Sequence, residues 1–248
     1  MFGRLRRRPV FVLRALKLYS VSPLGNPRRI DRAALVEGLL SSCEQFFGSA
    51  PTKFDIHGPY GISKGRSVGI KAFRNKLAKR GHADYYGLEG GLGEPFGFSC
   101  VFVPERDAQS GCDHLLVWFN VQTHAANVLD LAKRLMRFFP ANYGYVDDFP
   151  ADYVLQVESR PKWALFGTSL KENPEHSRWR LRTHIVLEGR VRDIYRCNLL
   201  NVMQADALRS LAFPDPVPFV NDVSLLEFTD DDAFEECRSR YRRLLPAT

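Results

Sequence analysis

From residue 96 to residue 102 the chain alternates. Phe96, Phe98, Cys100 and Phe102 are separated by smaller residues. A period of two puts all four side chains on one face of a strand. A face that apolar must be covered by a second layer, so this segment requires a sheet packed against something else. The chain supplies the cover as amphipathic helices. Leu35, Leu39, Cys43 and Phe46 recur at spacings of three and four, which predicts a helix from a cap at Asp31 to about Phe47, stopped by Gly48. Ile70, Phe73 and Leu77 mark another over 68–80. Val128, Leu131, Leu135 and Phe138 mark a third over 124–139, ended by Pro140. Phe234, Cys237, Tyr241 and Leu244 form the stripe of a closing helix capped by Thr229 or Asp230.

Strands are expected at 11–21, 53–57, 114–121, 142–146, 153–157, 163–166 and 219–228. Segments 180–188 and 190–196 flank Gly189 and read as a hairpin, followed by a short helix over 201–211. Gly58-Pro59-Tyr60-Gly61 and Gly90-Gly91-Leu92-Gly93 read as turns, and Pro214, Pro216 and Pro218 as a rigid connection. Interspersed elements with hairpins late in the chain give an α+β class: a largely antiparallel sheet with amphipathic helices packed on it. The expected organisation is a basic tail at 1–10 and a single compact domain at 11–248. A strand, a helix ending in Phe-Phe and a short strand occur at 11–57 and again at 114–149. Two similar β-α-β halves and a chance echo both account for this.

The chain has 248 residues, 45% of them hydrophobic, with 18 Phe, 9 Tyr and 3 Trp. That is ample core material, and it excludes disordered, collagenous and coiled-coil classes. No apolar run approaches the ~20 residues of a membrane-spanning helix. The five cysteines include no CxxC pair, which suits buried thiols in a reducing compartment, the cytoplasm. Arg4, Arg6, Arg7 and Arg8 precede an apolar stretch that Arg14 and Lys17 soon interrupt. We read them as a basic tail, with a targeting segment as the minority reading.

Charge is unevenly spread. Of the 35 Lys/Arg and 28 Asp/Glu, residues 1–80 hold 17 and 4, leaving 18 and 24 for the remainder. Such asymmetry suggests a charged partner, or two halves that simply solvate their charges. The basic set is Lys64, Arg66, Lys71, Arg74, Lys76, Lys79 and Arg80. It could track phosphates, with Tyr85 and Tyr86 nearby to stack on bases, or it could be a solvated helix face. The acidic sets are Asp147, Asp148 and Asp152, read as a loop, and Glu227, Asp230, Asp231, Asp232, Glu235 and Glu236 at a helix start. They could dock a basic protein, or complement a helix dipole.

Catalytic signatures are sparse. The glycines around Lys64 lack phosphate-loop spacing, Phe96 stands where a dinucleotide loop needs its third glycine, and GxSxG is absent. No two of the six histidines stand at i,i+4, so no helix presents a metal-binding pair. Adjacent Asp147 and Asp148 could hold a divalent ion, but no further carboxylates with a polymerase-like context accompany them. An enzyme gathering its site around His184 or Asp147 remains one of the readings. No cofactor and no metal is implied.

From Gly189 to Asn201 the chain runs Arg190-Val191-Arg192-Asp193-Ile194-Tyr195-Arg196-Cys197-Asn198-Leu199-Leu200. This strand-then-short-helix run resembles segments of bacterial polymorphic-toxin immunity proteins of the type VI secretion kind. The β-α opening, aromatic strand core and late hairpin are similar too. The resemblance implies a non-enzymatic cytoplasmic protein that binds a cognate toxin effector and blocks its active site or substrate access. No contact residue carries over. From charge and expected exposure we nominate Tyr143, Tyr145, Asp147, Asp148, Asp152, Asp230, Asp231, Asp232 and Glu235 as the partner-binding set. Nucleic-acid binding through 64–80 is the alternative.

Overall fold

The computed structural model describes residues 12–21, 30–57, 67–80, 87–91, 94–102, 112–122, 127–150, 158–161, 168–171, 186 and 189–244. Their elements run β1 (Val12–Ser20), α1 (Arg32–Phe47), β2 (Phe54–His57), α2 (Ile70–Arg80), β3 (Gly87–Gly90), β4 (Phe96–Val101), β5 (Asp113–Asn120), α3 (Val128–Leu135) and β6 (Tyr143–Pro150). Then follow β7 (Glu158–Pro161), β8 (Thr168–Lys171), β9 (Cys197–Leu200), α4 (Val202–Ser210), β10 (Val217–Val220), β11 (Val223–Glu227) and α5 (Asp231–Leu244). Among the described residues nine strands form one sheet in the order β10-β11-β9-β6-β1-β5-β4-β3-β2, and β7 pairs with β8 in a second. Every pairing among these strands is antiparallel. The α+β architecture expected from the sequence is the one observed.

Strand periodicity divides the core between the two faces of the sheet. Leu16 and Leu18 of β1, Phe96, Phe98 and Cys100 of β4, and Leu115, Val117 and Phe119 of β5 join Leu35, Leu39, Phe73, Leu77, Leu131 and Leu135 from α1, α2 and α3 in one cluster. Tyr19, Tyr143, Tyr145 and Leu200 point the other way, against Leu208 of α4 and Phe234 and Tyr241 of α5. The aromatic stripe at 96–102 is thus buried under helices, as its period demands.

Local signals set the helix ends. Asp31 Oδ1 accepts from the backbone of Ala33 and Ala34 at 3.0 Å each, and Gly48 closes α1 in the left-handed conformation. Asn201 and Gln204 form a reciprocal capping box on α4. Both β-α-β crossovers exist. Counting antiparallel steps, β2 returns parallel to β1 across β5, β4 and β3, whereas β6 returns parallel to β5 across β1 alone. The echoed halves therefore share connection but not strand spacing.

Tertiary pairing alters four local expectations. β3 is a strand although glycines begin and end it. A Cβ on Gly90 would lie 2.6 Å from the Phe98 ring, so the missing side chain makes room for the core. The single strand expected over 219–228 is the hairpin β10–β11, turned at Asn221 and Asp222, whose φ values are +49° and +59°. β6 runs on to Pro150 because β1 pairs along it, so Asp147 and Asp148 lie in a strand rather than a loop. Residues 190–196 form no strand, so the hairpin about Gly189 is corrected. Segment 180–185, the strands expected at 153–157 and 163–166, and the tail 1–10 lie outside the described residues.

Candidate functional site

A groove of about 450 Å³ opens at the end of the sheet where β1 and β9 begin and β6 and β11 finish. Strand register builds its floor. Arg14 lies opposite Asp148, and Cys197 lies opposite both Val146 and Glu227. Arg14 grips Asp148 with two bonds, Nε to Oδ1 at 2.7 Å and Nη2 to Oδ2 at 2.8 Å. That hydrogen bonding raises the Arg14 pKa further. The Cys197 thiol donates to Glu227 Oε1 at 3.6 Å. Burial first, and the Glu227 charge second, push its pKa up to about 12. A thiol so protonated is a poor nucleophile at neutral pH.

The opposite wall comes from the connection into α5. Phe228 and Phe234 line it with Arg196 and Arg238. The two guanidinium carbons lie 5.0 and 5.5 Å from the Phe234 ring centre. Arg196 also pairs with Asp231 in the first turn of α5. Behind this wall Asp193 accepts two bonds from Arg242 Nε, at 3.2 and 3.0 Å, and one from Nη2 at 2.5 Å.

The nominated partner-binding residues divide. Asp147 and Asp148 line the groove and Asp231 stands on its rim. Asp230 caps α5, accepting from Ala233 N at 2.7 Å. Asp232 and Glu235 are exposed on α5, and Asp152 lies outside the described residues. Tyr143 and Tyr145 are corrected. They are 1% and 3% exposed and cannot act as surface anchors, because odd-numbered residues of this part of β6 face the second core.

Those tyrosines belong to a buried hub. Tyr145 stacks on Tyr195 at 3.8 Å and 7°, and Tyr19 stacks on Tyr143 at 5.3 Å. Arg192 Nη1 donates to the Tyr145 hydroxyl at 2.7 Å, and its backbone N–H to that of Tyr143 at 3.1 Å. Burial pulls the Arg192 pKa down, but the surrounding phenols outweigh it and leave the value raised. Burial also pushes the Tyr19 and Tyr195 phenols up, and with the Arg192 charge it holds the Lys17 amine well below the ordinary lysine range. The run from 189 to 201 is thus largely a fastening. Arg192 ties to tyrosines, Asp193 to Arg242, Asn198 to the backbone of Tyr195 and Leu226, and Asn201 to α4.

On α2, Lys71 and Lys79 are exposed and Lys76 is half-buried. Arg74 is held by Glu37 of α1 at 3.0 and 2.6 Å, which removes one charge from the proposed stripe. Arg80 is the last residue of α2, and Lys64, Arg66, Tyr85, Tyr86 and His184 lie outside the described residues. Among the described residues no group of three or more His, Cys, Asp or Glu stands close enough to hold a metal. Among them too, no helix is long and apolar enough to cross a membrane.

Arg14, Arg196, Cys197, Glu227 and Arg238 come together from four strands or connections and one helix; Glu227 stood out in the sequence as part of an acidic cluster, and Arg196 and Cys197 within the run from 189 to 201, but none of the five was nominated. No protein-family profile and no curated protein matches the sequence. Among solved structures, the Pseudomonas aeruginosa T6SS protein PA0821 is similar in fold, with a TM-score of 0.51 over 93% of this chain and 72% of that one, at 12% identity.

Proposed function

We propose that this chain is an immunity protein that binds a cognate type VI secretion effector and neutralises it by covering its active site or substrate path. The groove and the exposed first turns of α5 form the binding face. The observation that carries the reading is the groove's composition: paired charges beside a wall of two buried aromatics, Phe228 and Phe234, a mixture that suits a binding face with charged and anchored parts. A fold shared with a T6SS protein supports the setting. In this reading the groove side chains recognise and none of them reacts.

The experiment is affinity capture of the tagged full chain from its native cells, at low and moderate salt, after nuclease treatment. The expected result is one dominant protein partner that survives nuclease and is lost from the double variant Asp232→Lys, Glu235→Lys. Recovery of nucleic acid in its place, sensitive to Lys71→Gln and Lys79→Gln, would overturn the reading in favour of nucleic-acid binding. Recovery of neither would also refute it.

A further inference from the structure

We infer that the groove receives a basic side chain of the protein partner, an arginine whose guanidinium meets Glu227 and whose stem lies along the aromatic wall. This rests on the immunity reading above and deepens it by naming what the partner presents. The charges of the groove are unequally matched. Each of its three arginines already faces an acid of this chain. Arg14 holds Asp148 with two bonds, Arg196 pairs with Asp231, and Arg238 Nη2 stands 3.6 Å from Asp193 Oδ2. Glu227 lines the same groove, and among the described residues no cation pairs with it. Its one bond comes from the Cys197 thiol at 3.6 Å, a weak donor. The thiol registers the surplus, since the Glu227 charge pushes its pKa up more than Arg14 draws it down.

The surroundings define the occupant. Strand register holds Glu227 at the end of β11, opposite Cys197 of β9, and leaves it exposed, so its carboxylate is both placed and reachable. The two oxygens of a carboxylate match the fork of a guanidinium. Phe228 and Phe234 stand beside it in the groove wall, and such a wall suits the methylene stem behind a charged head. The rim continues the same sign, with Asp232, Glu235 and Glu236 exposed on the first turns of α5. That field draws a surface carrying cations and turns an anionic one away. An arginine from outside takes the acid left over and displaces none of the existing pairs.

The probes are two blocked pentapeptides, Gly-Gly-Arg-Gly-Gly and the same chain with citrulline for arginine, each titrated into the nitrogen-15-labelled full chain. Citrulline keeps the shape of the side chain and removes its charge. The backbone amides of Glu227 and Cys197 are followed by NMR. We expect the arginine peptide to shift both resonances saturably and to bind about fivefold tighter than the citrulline peptide, the scale of one ion pair at a surface. Glu227→Gln should erase the difference. Glu44→Gln, at an exposed acid of α1 that does not line the groove, should leave it unchanged. Equal binding of the two peptides, an arginine preference that survives Glu227→Gln, or one lost equally in Glu44→Gln overturns the proposal. The wild-type comparison keeps the test valid whether or not a variant folds. An effector captured as well by Glu227→Gln as by the wild type would overturn this inference and leave the immunity reading standing. Loss of effector capture with the peptide result intact would remove the immunity reading alone.

Discussion

Asn198 holds the second face of the sheet to its covering segment, and removing its amide should be costly. The residue is 0% exposed. Its Oδ1 accepts from Tyr195 N at 2.9 Å, and its Nδ2 donates to the carbonyls of Tyr195 at 2.6 Å and Leu226 at 3.3 Å. Asn198→Ala leaves the Tyr195 N–H and C=O without these partners in a site closed to water. Each stranded group costs about 1–3 kcal/mol, so the expected loss is about 3 kcal/mol. For a chain of this size that lowers Tm by roughly 6–12 °C. Asn198→Asp tests the cause. It keeps the acceptor but turns a second carboxylate oxygen toward two carbonyls, so its folded-state pKa must rise above the unfolded value. Its stability is then greatest in acid and falls as pH climbs from the unfolded towards the folded pKa. Urea titrations followed by circular dichroism at pH 4 and pH 7 read both effects. An Asn198→Ala loss under about 1 kcal/mol, or an aspartate variant no worse at pH 7 than at pH 4, would refute the reasoning.

Three further outcomes are expected. His57 Nε2 lies 3.2 Å from Glu89 Oε2, and this hydrogen bond outweighs partial burial, so the imidazole pKa is raised above 6.5. NMR titration should show this and Glu89→Gln should reverse it; the contribution to stability is present below pH ~6.5 and lost as pH rises through the folded pKa, under about 1 kcal/mol because the imidazole is about half exposed. Cys197, held protonated, should react with iodoacetamide at pH 8 far more slowly than a free thiol, and Glu227→Gln should speed it, as read by mass spectrometry. Gly97→Ala would put a Cβ 2.5 Å from the Gly90 carbonyl oxygen and 2.5 Å from the Trp118 ring, so we expect about 1–3 kcal/mol of destabilisation in a urea melt.

Much of the fold was legible because its signals are local. The stripe of α1, its Asp31 cap and its Gly48 stop lie within a single stretch, and so does the alternation from Phe96 to Phe102. The candidate site was less legible because its parts are remote. Arg14 and Asp148 are 134 residues apart, and only the β1–β6 register brings them together. Tyr143 and Tyr145 looked like surface anchors beside acids, yet β6 alternates, turning them into the core while Asp148 faces the groove.

The amino-acid order alone thus determined the helices, most of the strands, the α+β class and the polarity of charge along the chain, since periodicity and capping act over a few residues. Tertiary structure decided which acids stay available and which are tied up. It pairs Asp148 with Arg14 and Asp231 with Arg196, spends Asp230 on a cap, and sets Arg238 on Phe234 beside Asp193. Those outcomes depend on strand order and register, which bring distant residues within hydrogen-bonding range and leave no trace in local sequence.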